Sequence, residues 1–227
     1  MTAPHEEPQD RYEAELEAAT FATERVITFS DAVVAIAITL LALGLPVPQL
    51  TDGMSDSQVL HALGHNWSDY LAFLISFWVI GGHWASHRQV FRYVSRWNQV
   101  VGRLNMLWLL MMVMTPFGAR LLAASGGFAI RFTIYVIIQI ISTACLALMS
   151  LEIAHAHLLR PGAPDKARYP DILPFAGFCV AFLISIPVAF ATAKYGDWAY
   201  ALWGFTSLTT RLLRHLVGNG RNGRHGA

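Results

Sequence analysis

The chain has 227 residues, of which 55% are hydrophobic and 14% charged, and its mean hydropathy is +0.43. An average soluble domain carries about 25% charged residues, so the composition points away from a soluble globular protein. The formal net charge of +1 excludes the basic footprint of a nucleic-acid binder. Apolar runs of about 20 residues recur without period-two alternation, which predicts an all-α, polytopic membrane protein and excludes a β-barrel.

The first residues, 1–23, form an acidic, hydrophilic segment without the apolar core of a signal peptide. The first span, expected from about Glu24 to Leu45, then acts as its own uncleaved insertion signal. Pro46 and Pro48 stop it. It carries Arg25 at its entrance and Asp31 about one and a half turns further in. Ionisable groups at membrane depth cost roughly 2.5–3.5 kcal/mol on insertion scales, so they sit where they have a partner or a task. On a helical wheel, Arg25, Phe29, Ala32, Ile36, Leu40 and Leu43 share one stripe, with Thr39 at its edge. Ser30 and Asp31 point elsewhere. A buried carboxylate needs donors, and His83, Trp84, His87, Asn105 and Trp108 on later spans are the candidates.

The second span is expected from about Asn66 to Trp84 and the third from about Arg103 to Leu122. The fourth runs from about Ile130 to Leu151 and the fifth from about Asp171 to Ala193. The sixth, about Asp197 to Leu213, is the shortest. Pro116 and Pro187 inside spans are tolerated, because neighbouring helices re-satisfy the freed carbonyls. Cys145 and Cys179 fall inside apolar runs and read as buried, reduced packing residues. His83 and His87 have metal-ligand spacing, i and i+4, but no third ligand or zincin glutamate accompanies them. They read as structural or proton-sensing histidines. His155 and His157 beside Glu152 read as a solvated helix end. A basic tail, 214–227, follows the six-helix domain, 24–213.

Six spans place thirteen Lys and Arg residues on one side of the membrane and three (Arg120, Arg131 and Lys194) on the other. The positive-inside rule then puts both termini in the cytoplasm. Trp67, Trp84, Trp97 and Trp198 fall near span ends, as an aromatic belt requires. No nucleotide-binding loop, nucleophile elbow or hydrolytic carboxylate cluster is present, so the chain does not read as an enzyme. It needs no cofactor or metal.

Arg25 followed by Phe29-Ser30-Asp31 and the run Ala-Val-Val-Ala-Ile-Ala-Ile-Thr-Leu-Leu resembles the first helix of the transmembrane protein 175 family of lysosomal-type potassium channels, in its prokaryotic single-repeat form. Trp84-Ala-Ser-His87, Asn105-Met-Leu-Trp108 and Pro116-Phe117 are similar to the family pattern as well. The resemblance covers roughly Arg25 to Leu213 and is strongest in the first half.

The resemblance implies a potassium-preferring cation channel in a prokaryotic plasma membrane, assembled as a homotetramer around four first helices. No carbonyl-lined filter sequence of the Thr-Val-Gly-Tyr-Gly kind is present. The constriction and selectivity positions implied are rings of Ile36, Leu40 and Leu43, with Thr39 beside them. Arg25, Phe29, Ser30 and Asp31 form the structural motif, and Trp84, His87, Asn105 and Trp108 are its partners. Potassium is the permeant ion; the lipid bilayer and monovalent cations are the other partners. The alternative is a proton-coupled secondary transporter that uses Asp31 and the membrane histidines as a relay.

Overall fold

The computed structural model describes residues 8–191 and is helical throughout. In chain order the helices are α1 (Pro8–Leu43), α2 (Asp56–His65), α3 (Trp67–Phe91), α4 (Gln99–Ala123), α5 (Phe128–His155), α6 (Asp165–Arg168) and α7 (Leu173–Ala191). Among the described residues, four stretches are long and apolar enough to cross a bilayer: Glu17–Leu43 of α1, α4, α5 and α7. With 25 residues α3 has the length as well, but His83, Trp84 and His87 interrupt its apolar run. The expected sixth span, Asp197–Leu213, lies outside the described residues.

α1, α3, α4 and α5 overrun their expected bounds at one end or both, whereas α7 lies within its expected 171–193; local chemistry explains the early starts of α1 and α4. α1 begins at Pro8 instead of Glu24, so residues 8–23 are the first part of one continuous helix. That stretch is rich in Glu and Ala, both strong helix formers, and proline suits a first turn. A membrane-hydropathy reading stops where charge begins; helix propensity does not. α4 starts at Gln99 because Asn98 caps it, its Oδ1 accepting the Val101 amide at 2.9 Å. α2 was not anticipated. Its signal is Ser55-Asp-Ser-Gln58, half a capping box, in which the Ser55 amide donates to Gln58 Oε1 at 2.8 Å.

The centre of the bundle is the α4–α5 pair. Trp108 and Met112 of α4 and Phe132, Tyr135, Leu146 and Met149 of α5 are all buried. α1 and α3 pack against α4, and α7 packs against α5. Two features let α4 and α5 run close together. Gly118 leaves no room for a side chain: a Cβ there lies 3.1 Å from Ile138 Cδ1 and 3.2 Å from Tyr135 Cδ2. At the turn between them, Arg131 donates to the carbonyls of Leu121 (3.2 Å), Leu122 (2.6 Å) and Gly126 (2.8 Å). A cation placed on the last carbonyls of α4 satisfies groups the helix cannot bond itself and matches its dipole.

At the opposite end, the α3–α4 and α5–α6 loops are tied by an antiparallel bridge between Val94 and Leu159. The Arg160 amide donates to the Tyr93 carbonyl at 2.9 Å, and the Ser95 amide to that of Leu158 at 3.0 Å.

Gly118 gives a graded test. Gly118→Ala gains about 1 kcal/mol of helix propensity and must move only the tip of Ile138 and one edge of Tyr135. It is expected to be near neutral in thermal unfolding of the detergent-solubilised protein. Gly118→Leu overpacks the contact and is expected to cost about 1–3 kcal/mol.

Candidate functional site

α1 buries one narrow stripe: Thr23, Ser30, Val34, Ala37 and Leu41. The spacing of 7, 4, 3 and 4 is that of a single helical face. Ile36, Leu40 and Leu43 lie on a different face and are 58%, 42% and 82% exposed, whereas Ser30 and Ala37 are fully buried. Phe29 is exposed on the same outward face, and so is Arg25 toward the N-terminal end. Thr39 is exposed too, and its hydroxyl donates to the Ile36 carbonyl at 2.8 Å, which leaves its oxygen lone pairs facing outward.

A chain of polar groups fixes this orientation. His87 Nε2 lies 2.9 Å from Asn105 Oδ1, and Asn105 Nδ2 donates to Ser30 Oγ at 3.0 Å. Ser30 Oγ in turn donates to the Val26 carbonyl at 2.8 Å. With the amide oriented this way, Oδ1 is the acceptor and Nε2 carries the proton. Three helices, α3, α4 and α1, are thereby linked through fully or almost fully buried groups. The His87 ring is held flat between two aromatic rings. Trp108 stacks on it at 4.3 Å and 11°, and Phe91 lies at 4.6 Å and 31°.

Asp31 sits beside this chain and takes a separate donor. Trp84 Nε1 donates to its Oδ1 at 2.9 Å, and the Trp84 ring carries the Arg88 guanidinium 5.2 Å from its centroid. This contact is half exposed, unlike the Ser30 chain.

The structure therefore brings Ser30, Asp31, Trp84, His87, Asn105 and Trp108 together at the α1–α3–α4 junction. It leaves Arg25, Phe29, Ile36, Thr39, Leu40 and Leu43 outside that cluster, exposed on the surface of the chain. Phe91 belongs to the cluster and was not anticipated; its signal is the i, i+4 spacing from His87 on α3. His83, one turn earlier, faces a cavity between α3, α5 and α7 instead of joining His87.

Burial sets the order of importance of these bonds. Asn105→Ala removes the partner of His87 Nε2 and the donor to Ser30 Oγ, which keeps only its own bond to the Val26 carbonyl, at about 1–3 kcal/mol for each buried group that loses a partner. It is expected to lower stability by about 2–4 kcal/mol in thermal unfolding. Trp84→Phe removes a half-exposed bond and is expected to cost about 1 kcal/mol. Equal losses in the two variants would show that the buried chain has no special role in holding α1.

The sequence profile described as endosomal/lysosomal potassium channel TMEM175 matches residues 25–116, the segment that holds this junction. A protein named as a potassium channel from Streptomyces collinus is 33% identical over 174 residues, spanning 74% of this chain and 83% of that one. A protein named endosomal/lysosomal proton channel TMEM175 from Gallus gallus is 38% identical over 89 residues, 37% of this chain and 18% of that one. The crystal structure of a lysosomal potassium-selective channel TMEM175 homolog from Chamaesiphon minutus superposes with a TM-score of 0.68 at 24% identity. That match covers 83% of this chain and 98% of the other, and it establishes the shared fold. The chain is a membrane protein that belongs to the TMEM175 family.

Proposed function

We propose that this chain is one subunit of a homotetrameric, potassium-preferring channel of a prokaryotic plasma membrane. Each subunit has six spans, residues 24–213, with both termini in the cytoplasm. Four copies of α1 line one central pore. The supporting relative is the Streptomyces collinus protein, named as a potassium channel, with which this chain shares most of its length.

The observation that carries the reading is the direction of the α1 stripe. The Ser30–Asn105–His87 chain holds one face of α1 against its own subunit. Ile36, Leu40 and Leu43 then point away from it, the direction a pore wall needs. A single α1 cannot enclose a pore, so the stripe requires further copies arranged about a closed symmetry axis.

Rings of Ile36, Leu40 and Leu43 make a narrow apolar passage, which shuts by expelling water and opens with a small rotation or tilt. Potassium sheds its hydration shell more readily than sodium and crosses such a passage at lower cost. The outward lone pairs of Thr39 replace part of the lost shell. Four Arg25 side chains near the mouth oppose cation entry. Glu15, Glu17 and Glu24, exposed on the same helix, offset that charge and concentrate cations there.

The test is a planar-bilayer recording of the purified protein under a potassium/sodium bi-ionic gradient. Unitary currents with a reversal potential shifted toward potassium are expected. Ile36→Asn hydrates the ring and is expected to raise conductance and reduce the potassium preference. Should Ile36→Asn leave both unchanged, the apolar-ring account is wrong. Silence in the bilayer with proton-coupled flux in liposomes would instead support a transporter that works through Asp31. Because the Gallus gallus relative is named as a proton channel, the recordings include a pH gradient.

A further inference from the structure

A cavity of about 720 Å³ lies between α3, α5 and α7. Its volume falls within the roughly 300–1,000 Å³ typical of small-ligand sites. Trp78, Leu146, Phe175, Phe178 and Phe182 make its body mainly apolar and aromatic, with His83, Ser86, Thr143 and Ser150 as its polar members. Its polar end is formed by Gln89 and Tyr93 of α3, Leu159 of the α5–α6 loop, and Ala167 and Tyr169 around α6.

Three arginines are chain neighbours of residues at that end, although none of them lines the cavity itself. Arg92 lays its guanidinium over the Tyr93 ring, 5.4 Å from the centroid. Arg160 follows the lining residue Leu159, and its side chain donates to the Arg92 carbonyl at 3.0 Å. Arg168 follows the lining residue Ala167. All three are exposed. Asp171 also lines this end. Its Oδ1 accepts the Leu173 amide at 3.0 Å, so its charge sits at the N-terminus of α7, where the helix dipole stabilises it. Three cations against the carboxylates of Asp171 and Asp165, the first residue of α6, leave that end net positive.

We propose that the cavity seats an acyl chain of an anionic phospholipid, whose phosphate the mouth arginines Arg92, Arg160 and Arg168 hold. Basic pockets between membrane helices recognise anionic headgroups in this way. The apolar body distinguishes the site from one for a free anion.

Native mass spectrometry of the delipidated full-length protein tests this, with phosphatidylglycerol or phosphatidylcholine of identical acyl chains as the probe. Phosphatidylglycerol is expected to bind in clear preference. Arg92→Gln and Arg168→Gln are each expected to weaken it about fivefold, the equivalent of about 1 kcal/mol per juxtamembrane charge, with phosphatidylcholine unaffected. Gly82 lines the cavity, and a Cβ there meets nothing within 4 Å. Gly82→Phe therefore grows into open space and is expected to abolish binding of both lipids while thermal unfolding stays as in the parent. Equal affinity for the two lipids overturns the proposal. So does full lipid binding by Gly82→Phe, which would place the lipid elsewhere. If neither lipid binds the parent protein, the proposal also fails, and residues 192–227 of the chain become the candidate occupant. If the parent binds inorganic phosphate as tightly as phosphatidylglycerol, the acyl chain adds nothing and the site is one for a free anion and not for a lipid.

Discussion

A hydroxyl, an amide and an imidazole buried between three helices must satisfy one another, because no water competes for them there. The Ser30–Asn105–His87 chain does this from the Val26 carbonyl to His87 Nε2; His87 Nδ1 is buried without a hydrogen-bond partner among the described residues. An apolar contact would let α1 roll by a fraction of a turn at little cost, since one aliphatic ridge packs much like the next. A directional chain does not, because a rotation of one residue breaks two bonds in a low-dielectric medium. The hydrogen bonds thus act less as glue than as an index mark that sets which face of α1 looks outward.

The rest of the bundle serves that index. α4 carries Asn105, and it is itself fixed by its close approach to α5 at Gly118 and by Arg131 at the turn between them. α3 carries His87, whose ring is clamped by Trp108 and Phe91 and so presents Nε2 in one direction only. Trp84 on the same helix reaches Asp31 at the rim of the junction. The exposed, flexible contacts therefore lie around a rigid interior, and the outward stripe inherits that rigidity.

Much of this was legible in the sequence because membrane helices announce themselves by length and hydropathy. Helical geometry then sorts their faces without any knowledge of partners. The wheel separates Ile36, Leu40 and Leu43 from Ser30 and Asp31, and the structure has them on different faces. Asn105, His87 and Trp84 stood out as polar or hydrogen-bonding residues in apolar runs. Which of them would meet Ser30 and which Asp31 was not legible, since that depends on relative helix rotation and depth. Helix ends were misjudged where hydropathy and helix propensity diverge, as in residues 8–23 and at α2. The cavity was invisible, because no local pattern marks a gap between three helices that are distant in sequence.

α1 is unbroken over 36 residues, which at 1.5 Å per residue makes a rod of about 54 Å. The hydrocarbon core of a bilayer is only about 30 Å thick, so the acidic first turns project well beyond it. A rod without a hinge transmits torque along its length. A force on the projecting end therefore reaches Ile36 as a rotation of the whole helix, against the restoring pull of Asn105 on Ser30. The charged end is in mechanical terms a handle, and the polar junction is the spring it works against.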